Sequence, residues 1–122
     1  MANDFKRFTV SSVNTSTGAS ASAVYTVPAG SGSSALESIV IGITLANKTS
    51  TGVTASVFLD NYTGSNDVYI VKDATIPAGS SLEVMSGNKI VLQNSGSAGD
   101  VLRVSSGTAT AVDATVSVLE DV

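Results

Sequence analysis

Hydrophobic residues recur at alternate positions in short runs along the chain, and these runs end at clusters of Gly, Ser, Asn and Pro. Alternation is the period of a β-strand with one buried face, and no window shows the 3.6-residue period of an amphipathic helix. The turn clusters recur about every eight to twelve residues, as they do in sandwiches and barrels. The pattern predicts a single-domain, all-β fold, an antiparallel β-sandwich of jelly-roll type with about eight strands and little or no helix.

The longest apolar run, residues 38–47, predicts the central strand of this fold. Simple alternation would place Ile39, Ile41, Ile43 and Leu45 together on one buried face. The hypothesis that follows is that replacing Ile41 with Asp unfolds the domain. Strands are predicted over residues 5–13, 21–27, 36–46, 53–60, 68–73, 82–85, 89–93, 100–105 and 112–120.

Three connections carry recognisable turn chemistry. Residues 47–52 separate two runs of clean alternation, which predicts an antiparallel hairpin between the strands on either side. Residues 86–88, Ser-Gly-Asn, are typical of a second, tight hairpin. A Pro-Ala-Gly sequence occurs at residues 28–30 and again at 77–79, each time after a strand and before a Ser-rich exit. This echo predicts two similar corners, as in double Greek-key arrangements.

The composition narrows the functional classes. The chain has 122 residues, no Cys and no His, so it lacks disulfides, thiolate metal sites and both Ser-His-Asp and Cys-His catalysis. With a net charge of −4 and only scattered Lys and Arg, there is no basic stripe for nucleic acid. Residues 1–8 lack the apolar segment of a secretory signal, and no apolar run approaches the roughly 18 residues of a membrane span. We expect a non-enzymatic protein without cofactor, metal, nucleic-acid or membrane partner.

Candidate interaction residues lie in two places. Residues 1–20 are a possible arm or peripheral strand, in which Phe5 and Phe8 are candidate contacts. The polar loop that contains Asn61, Tyr62 and Asn66 is the second place. Its carboxylates and amides are ligands that Ca²⁺ accepts, but their spacing does not match a calcium loop and turn formation is the favoured explanation. Tyr62 is a candidate for stacking on a sugar ring or a neighbouring subunit, with folding back over the sheet as the simpler alternative.

Several longer motifs point to a known group of proteins. They are VPAG at 27–30, IVIGITLAN at 39–47, YIVKDATIPAGSSLE at 69–83, GNKIVL at 87–92, AGDVLRV at 98–104 and VDATVSVLE at 112–120. Over about residues 25–120 the chain resembles small structural proteins of tailed bacteriophages, particularly phages of marine bacteria and cyanobacteria.

The resemblance implies an all-β subunit that is built into the virion in many copies. The leading hypothesis is a capsid decoration or cement protein that contacts the major capsid protein and forms homo-oligomers. A tail, neck or fibre-associated subunit is the first alternative. A carbohydrate- or receptor-binding module, with Tyr62 and the loop around it as its site, is the second.

Overall fold

The computed structural model describes residues 3–62, 66–85 and 89–121. Within these ranges the chain forms nine strands and two short 3₁₀ turns, with no α-helix. The strands are β1 (Asn3–Val10), β2 (Ser22–Thr26), β3 (Leu36–Asn47), β4 (Val53–Asn61), β5 (Asn66–Ile76), β6 (Ser81–Glu83), β7 (Ile90–Asn94), β8 (Val101–Ser106) and β9 (Val112–Asp121). The 3₁₀ turns are Gly18–Ser20 and Ser31–Ser33.

The strands form two antiparallel sheets that enclose one core. The five-stranded sheet has the order β1-β9-β3-β6, with β7 also paired to β3, and the four-stranded sheet has the order β2-β8-β4-β5. The pairs β1–β9, β2–β8, β3–β6/β7 and β4–β5 are those of one long hairpin with its tip between β4 and β5. Rolling such a hairpin into two facing sheets produces a jelly roll. The predicted all-β antiparallel sandwich is therefore confirmed.

The core consists mainly of aliphatic side chains that alternate inward along the strands. From the five-stranded sheet come Val40, Ile43 and Val116, all at most 1% exposed, and from the opposite sheet come Val57 and Leu102, both fully buried. Half of their neighbours in sequence are Ser, Thr or Gly. This division matches the period-two pattern, since one face of an antiparallel sheet packs on the core while the other meets solvent.

A bulge in β3 overturns the predicted placement of Ile41. Val40 pairs with Val118 while Gly42 pairs with Ser117, so one extra residue is inserted between them. Ile41 is that residue and is 41% exposed, whereas Ile43 on its far side is buried. The prediction that both isoleucines share a buried face was wrong, because a bulge reverses the alternation beyond it. Both faces of this stretch are apolar, so the sequence pattern carries no sign of the reversal.

Both predicted hairpins were also wrong. Residues 48–52 lead from β3 in one sheet to β4 in the other, so these strands are not hydrogen-bonded neighbours. In the described part of the chain, β6 and β7 pair with β3 end to end rather than with each other. The Ser-Gly-Asn turn at 86–88 lies outside the described residues. Alternation specifies which side chains face the core, but it does not specify which strand lies alongside.

The two Pro-Ala-Gly corners are held in the same way, each by a buried asparagine. Asn94 Nδ2 donates a hydrogen bond to the Val27 carbonyl at 2.8 Å, and Asn47 Nδ2 donates to the Ile76 carbonyl at 3.0 Å. Val27 and Ile76 are the residues immediately before the two prolines. Each asparagine ends a strand of one hairpin arm and clamps the corner of the other arm. The two clamps are thus alike, whereas the corners differ in backbone, with φ of 66° at Gly79 and −73° at Gly30.

The asparagines also close their own turns identically. The Oδ1 atom accepts a hydrogen bond from the backbone N–H two residues later, Thr49 at 2.9 Å for Asn47 and Gly96 at 2.7 Å for Asn94. This is an Asx turn. At the second clamp Gly99 is required, because a Cβ there would lie 2.5 Å from the Val27 carbonyl oxygen. Each clamp therefore provides hydrogen bonds for the asparagine amide. It also provides them for buried backbone groups that would otherwise lack a partner where the chain crosses between the sheets.

We expect Asn94→Ala to destabilise the fold by about 1–3 kcal/mol, because it leaves the buried Val27 carbonyl without this donor. The neighbouring Gln93→Ala is the matched control, since Gln93 is exposed and should change stability by about 0.5 kcal/mol or less. Urea unfolding of both variants checks the prediction. Equal stability of the two variants would contradict the clamp.

The bulge predicts unequal effects for two isoleucines only two positions apart. Ile43→Ala should cost about 2–5 kcal/mol because it opens a cavity in the core. Ile41→Ala should cost about 1 kcal/mol or less because much of its side chain is already in solvent. Thermal and urea unfolding of the pair measure the difference, and a larger loss for Ile41→Ala would exclude the bulge at this position.

Candidate functional site

The two phenylalanines predicted as contacts lie on opposite faces of β1. Phe5 points away from the core and is 75% exposed. Phe8 pairs with Val116, a core residue, and its ring centroid lies 4.6 Å from that of Tyr25 in the facing sheet. Phe5 is thus open to a partner, while Phe8 helps to join the two sheets. The predicted peripheral segment is an edge strand over residues 3–10.

The loop residues predicted as contacts lie at or next to the end of the β4–β5 pair. Asn61 and Asn66 are paired positions in its backbone register. Tyr62 is partly buried, and its backbone N–H donates to Asp100 Oδ1 at 3.1 Å. Asp60, a potential Ca²⁺ ligand, is instead ion-paired with Arg103 at 3.0 Å. Across the described ranges no three acidic side chains lie close enough to share a metal ion.

The outer face of the five-stranded sheet carries a line of apolar side chains that crosses four strands. Phe5 pairs with Leu119, Leu119 with Ile39, and Ile39 with Val91, so the four residues lie directly opposite one another. Val91 is 56% exposed, and the bulged Ile41 adds further apolar surface. We call these five residues the apolar row. Neighbouring strands lie about 4.8 Å apart, so the row spans roughly 14 Å.

The surface along the next positions of the same face is polar and mostly small. Two residues further along β1 and β9, Arg7 pairs with Ser117 and Ser117 with Gly42. After two more residues Thr9, Thr115 and Thr44 line up, followed by Glu83, which accepts a hydrogen bond from Thr44 Oγ1 at 2.7 Å. An apolar patch rimmed by polar residues is typical of an interaction surface. No single stretch of sequence signals it, because the row takes one residue, or at most two, from each strand.

Directly inside the row, a carboxylate is buried between the sheets. Glu120 is 1% exposed, and its Oε2 accepts a hydrogen bond from the Tyr25 hydroxyl at 2.6 Å. The Tyr25 and Ser38 hydroxyl oxygens are also 2.6 Å apart. Because the single Tyr25 proton goes to Glu120, Ser38 must be the donor of that second bond. Residues of β2, β3 and β9 thus form one chain of hydrogen bonds, in which Ser38 donates to Tyr25 and Tyr25 donates to Glu120.

Lys6 of β1 supplies the opposing charge. Its Nζ lies 2.8 Å from Glu120 Oε1, although the direction of approach is poor for a hydrogen bond, so the contact is best described as an ion pair. The contact with Glu120 raises the pKa of Lys6 above its ordinary value of 10.5. Burial, reinforced by the bond to Glu120, raises the pKa of Tyr25 far above its ordinary 10.0. Lys6 therefore anchors β1 at the residue next to Phe5.

The outer face of the four-stranded sheet has a different character. It contains a cleft of about 150 Å³ above the paired residues Ser56 and Ser105. Most of its lining is polar. The cleft, which we call the polar cleft, is lined by Thr15, Thr17, Ser56, Tyr69, Lys72, Asp73, Ser105, Ser106 and Gly107. The sequence prediction missed it, because Ser and Thr residues from three separate segments carry no distinguishing pattern.

No family model matches this chain, and no curated protein matches it significantly. Within the described residues there is no helix of the length and hydrophobicity needed to cross a membrane.

The buried network predicts a loss of stability in alkali. The folded-state pKa values of Tyr25 and Lys6 are both raised, so the stabilisation is complete below about pH 10 and declines as pH rises through those folded-state values. Tyr25→Phe removes one of the two titrating groups. We expect it to cost about 1–3 kcal/mol at neutral pH and to make the alkaline decline shallower by up to about 1.4 kcal/mol per pH unit.

Urea unfolding at several pH values between 8 and 11 measures both quantities. Tyr62→Phe is the matched control, since its hydroxyl makes no hydrogen bond to the described residues. Parallel alkaline slopes for the wild type and Tyr25→Phe would contradict the proposed role of the network.

Proposed function

We propose that the protein is a non-enzymatic structural subunit of a bacteriophage virion, a decoration or cement protein that binds the capsid surface through the apolar row. The observation that carries the proposal is the continuous line from Phe5 to Val91 across four strands. It lies on a protein whose surface is otherwise rich in hydroxyls and poor in charge, at 13% charged residues against about 25% in typical domains. The sequence resemblance to phage structural proteins supports the assignment to a virion.

The geometry of the row suits attachment to a firm, repeated surface. Its residues project from hydrogen-bonded strands, with Leu119, Ile39 and Ile41 on the two central strands of the sheet, so little backbone entropy is lost on binding. Phe5 extends the row to the edge strand, where Lys6 and Glu120 hold the backbone in place. A flat apolar contact of this kind requires a complementary flat partner, such as the outer surface of a coat subunit.

The size of the row predicts weak binding by each copy. Five side chains are far fewer than the roughly 20–30 residues that each partner contributes to a standard stable interface. A capsid presents the same site many times, and linked copies raise the overall affinity without new contacts. This is the reason for expecting a homo-oligomer, in which several copies engage neighbouring coat subunits together.

We expect Val91→Ser to lower capsid occupancy, weakening each contact about tenfold through lost apolar burial. Val68→Ser is the matched control, because Val68 is 50% exposed on a strand of the other sheet and should leave occupancy unchanged. Quantitative mass spectrometry of purified particles assembled with each variant measures the number of copies. A reconstruction of the intact particle then shows which face of the protein is covered.

Three outcomes would overturn the proposal in distinguishable ways. Absence of the protein from purified virions would exclude any virion role. Density on the tail, neck or fibres would retain the structural role and replace the capsid with the alternative location. Equal occupancy of Val91→Ser and Val68→Ser particles would show that the apolar row is not the attachment surface.

A further inference from the structure

The polar cleft has the construction of a small binding site. Ser56 on β4 and Ser105 on β8 face each other on its floor. The connection between β1 and β2 crosses above them and contributes Thr15 and Thr17 to the wall. The volume of about 150 Å³ equals the share of about five water molecules in the liquid, which is enough for one small ring. Rigid strands therefore form the floor, and a loop forms the rim.

Ser105 provides the clearest sign that the cleft holds a ligand. It is only 8% exposed, yet its hydroxyl makes no hydrogen bond to any described residue. The Oγ atom itself is open to the cleft, since among the described residues Glu120 Oε1 is the one buried side-chain atom without a hydrogen-bonding partner. Its neighbours on the floor differ, since Ser56 bonds to the backbone N–H of Asp73 and Ser106 to that of Thr108. The Ser105 hydroxyl is thus the group on the floor that remains available for a hydrogen bond to a ligand in the cleft.

The charges in the cleft oppose one another. Lys72 Nζ and Asp73 Oδ2 lie 3.1 Å apart, and both side chains are largely exposed at the rim. Asp73 has a left-handed backbone, with φ of 51°, and Ser56 Oγ holds its N–H at 2.8 Å. The carboxylate and the ammonium group each keep further hydrogen-bonding capacity. The cleft consequently offers adjacent strong acceptors and donors with no net charge.

Tyr69 adds an apolar wall. Its ring centroid lies 5.1 Å from that of the buried Phe58, which fixes its position, and Lys72 Nζ lies over the ring, 5.3 Å from the centroid. Beyond these contacts 39% of the residue remains exposed. A rigid aromatic side chain offers both C–H contact area and a hydroxyl at little cost in conformational entropy. Within the cleft it is the one large apolar group.

We propose that the polar cleft binds a neutral sugar ring with free vicinal hydroxyls. Vicinal hydroxyls pair with an adjacent acceptor and donor, here Asp73 and Lys72, and a third sugar oxygen meets the Ser105 hydroxyl. The C–H groups of the ring lie against Tyr69. An inorganic anion fits less well, because the negative charge of Asp73 offsets the positive charge of Lys72. A cation fits less well, because the charge of Lys72 likewise offsets that of Asp73. An apolar ligand would leave the Ser105 hydroxyl unpaired.

The proposal is independent of the virion role, and it concerns residues other than the loop around Tyr62 that the sequence had suggested. The test is a ¹H–¹⁵N NMR titration of the full chain with D-glucose, D-galactose, D-mannose and N-acetyl-D-glucosamine, which together present cis and trans diols. Titration to about 50 mM exceeds the millimolar Kd expected of a ligand this small. We expect at least one sugar to shift the amides of Asp73, Ser105 and Gly107.

Ser105→Ala is the decisive variant, because it removes the hydroxyl without breaking a hydrogen bond to a described residue. It should weaken binding about tenfold and leave Tm unchanged. Ser117→Ala, on the outer face of the other sheet, is the matched control and should bind as the wild type does. Asp73→Asn, which tolerates the left-handed backbone, should weaken binding too.

Three results would overturn the assignment. The first is that none of the four sugars shifts the cleft amides. The second is that Ser105→Ala binds as tightly as Ser117→Ala. The third is that sodium phosphate shifts the same amides more strongly than any sugar, which would make the cleft an anion site centred on Lys72.

Discussion

A buried carboxylate, that of Glu120, determines how the first and last strands of this jelly roll pack against the facing sheet. Glu120 lies near the end of the last strand and is almost entirely removed from water. A buried charge is tolerated only with a counter-charge and hydrogen bonds. Tyr25 and Lys6 supply the two requirements from β2 and β1. The first strand, the last strand and the facing sheet are therefore locked by one group.

This lock has a consequence on the outside of the sheet. Successive side chains of a strand point to opposite faces, so turning Lys6 inward towards Glu120 turns Phe5 outward. The same rule applied to β9 turns Leu119 outward beside it. An interaction that satisfies a buried charge thus also aligns two members of the apolar row. The interaction of Lys6 with Glu120 therefore contributes both to the packing of the first and last strands and to the shape of the candidate attachment surface.

Alternation in the sequence was enough to predict the strands and the sandwich. It was not enough to predict the partners of those strands, because hairpins and sheet-to-sheet crossings look alike in a period-two pattern. The bulge at Ile41 was hidden for a related reason, since apolar residues occupy both faces there. The polar cleft was invisible because only the fold brings the Ser105 hydroxyl to a cleft without a hydrogen-bonding partner among the described residues. These are properties of tertiary packing, and local sequence does not encode them separately.

The two candidate surfaces lie on the outer faces of opposite sheets and have no residue in common. Facing sheets in a sandwich are about 10 Å apart, so a partner that covers the apolar row leaves the polar cleft directed away from it. The Asn47 and Asn94 clamps at the corners hold the two sheets in register, so one face does not need to deform when the other binds. A subunit attached to a particle through Val91 would therefore present Ser105 and Tyr69 to the surrounding medium. Attachment and sugar recognition are compatible in this fold because the rolled hairpin assigns them to separate sheets.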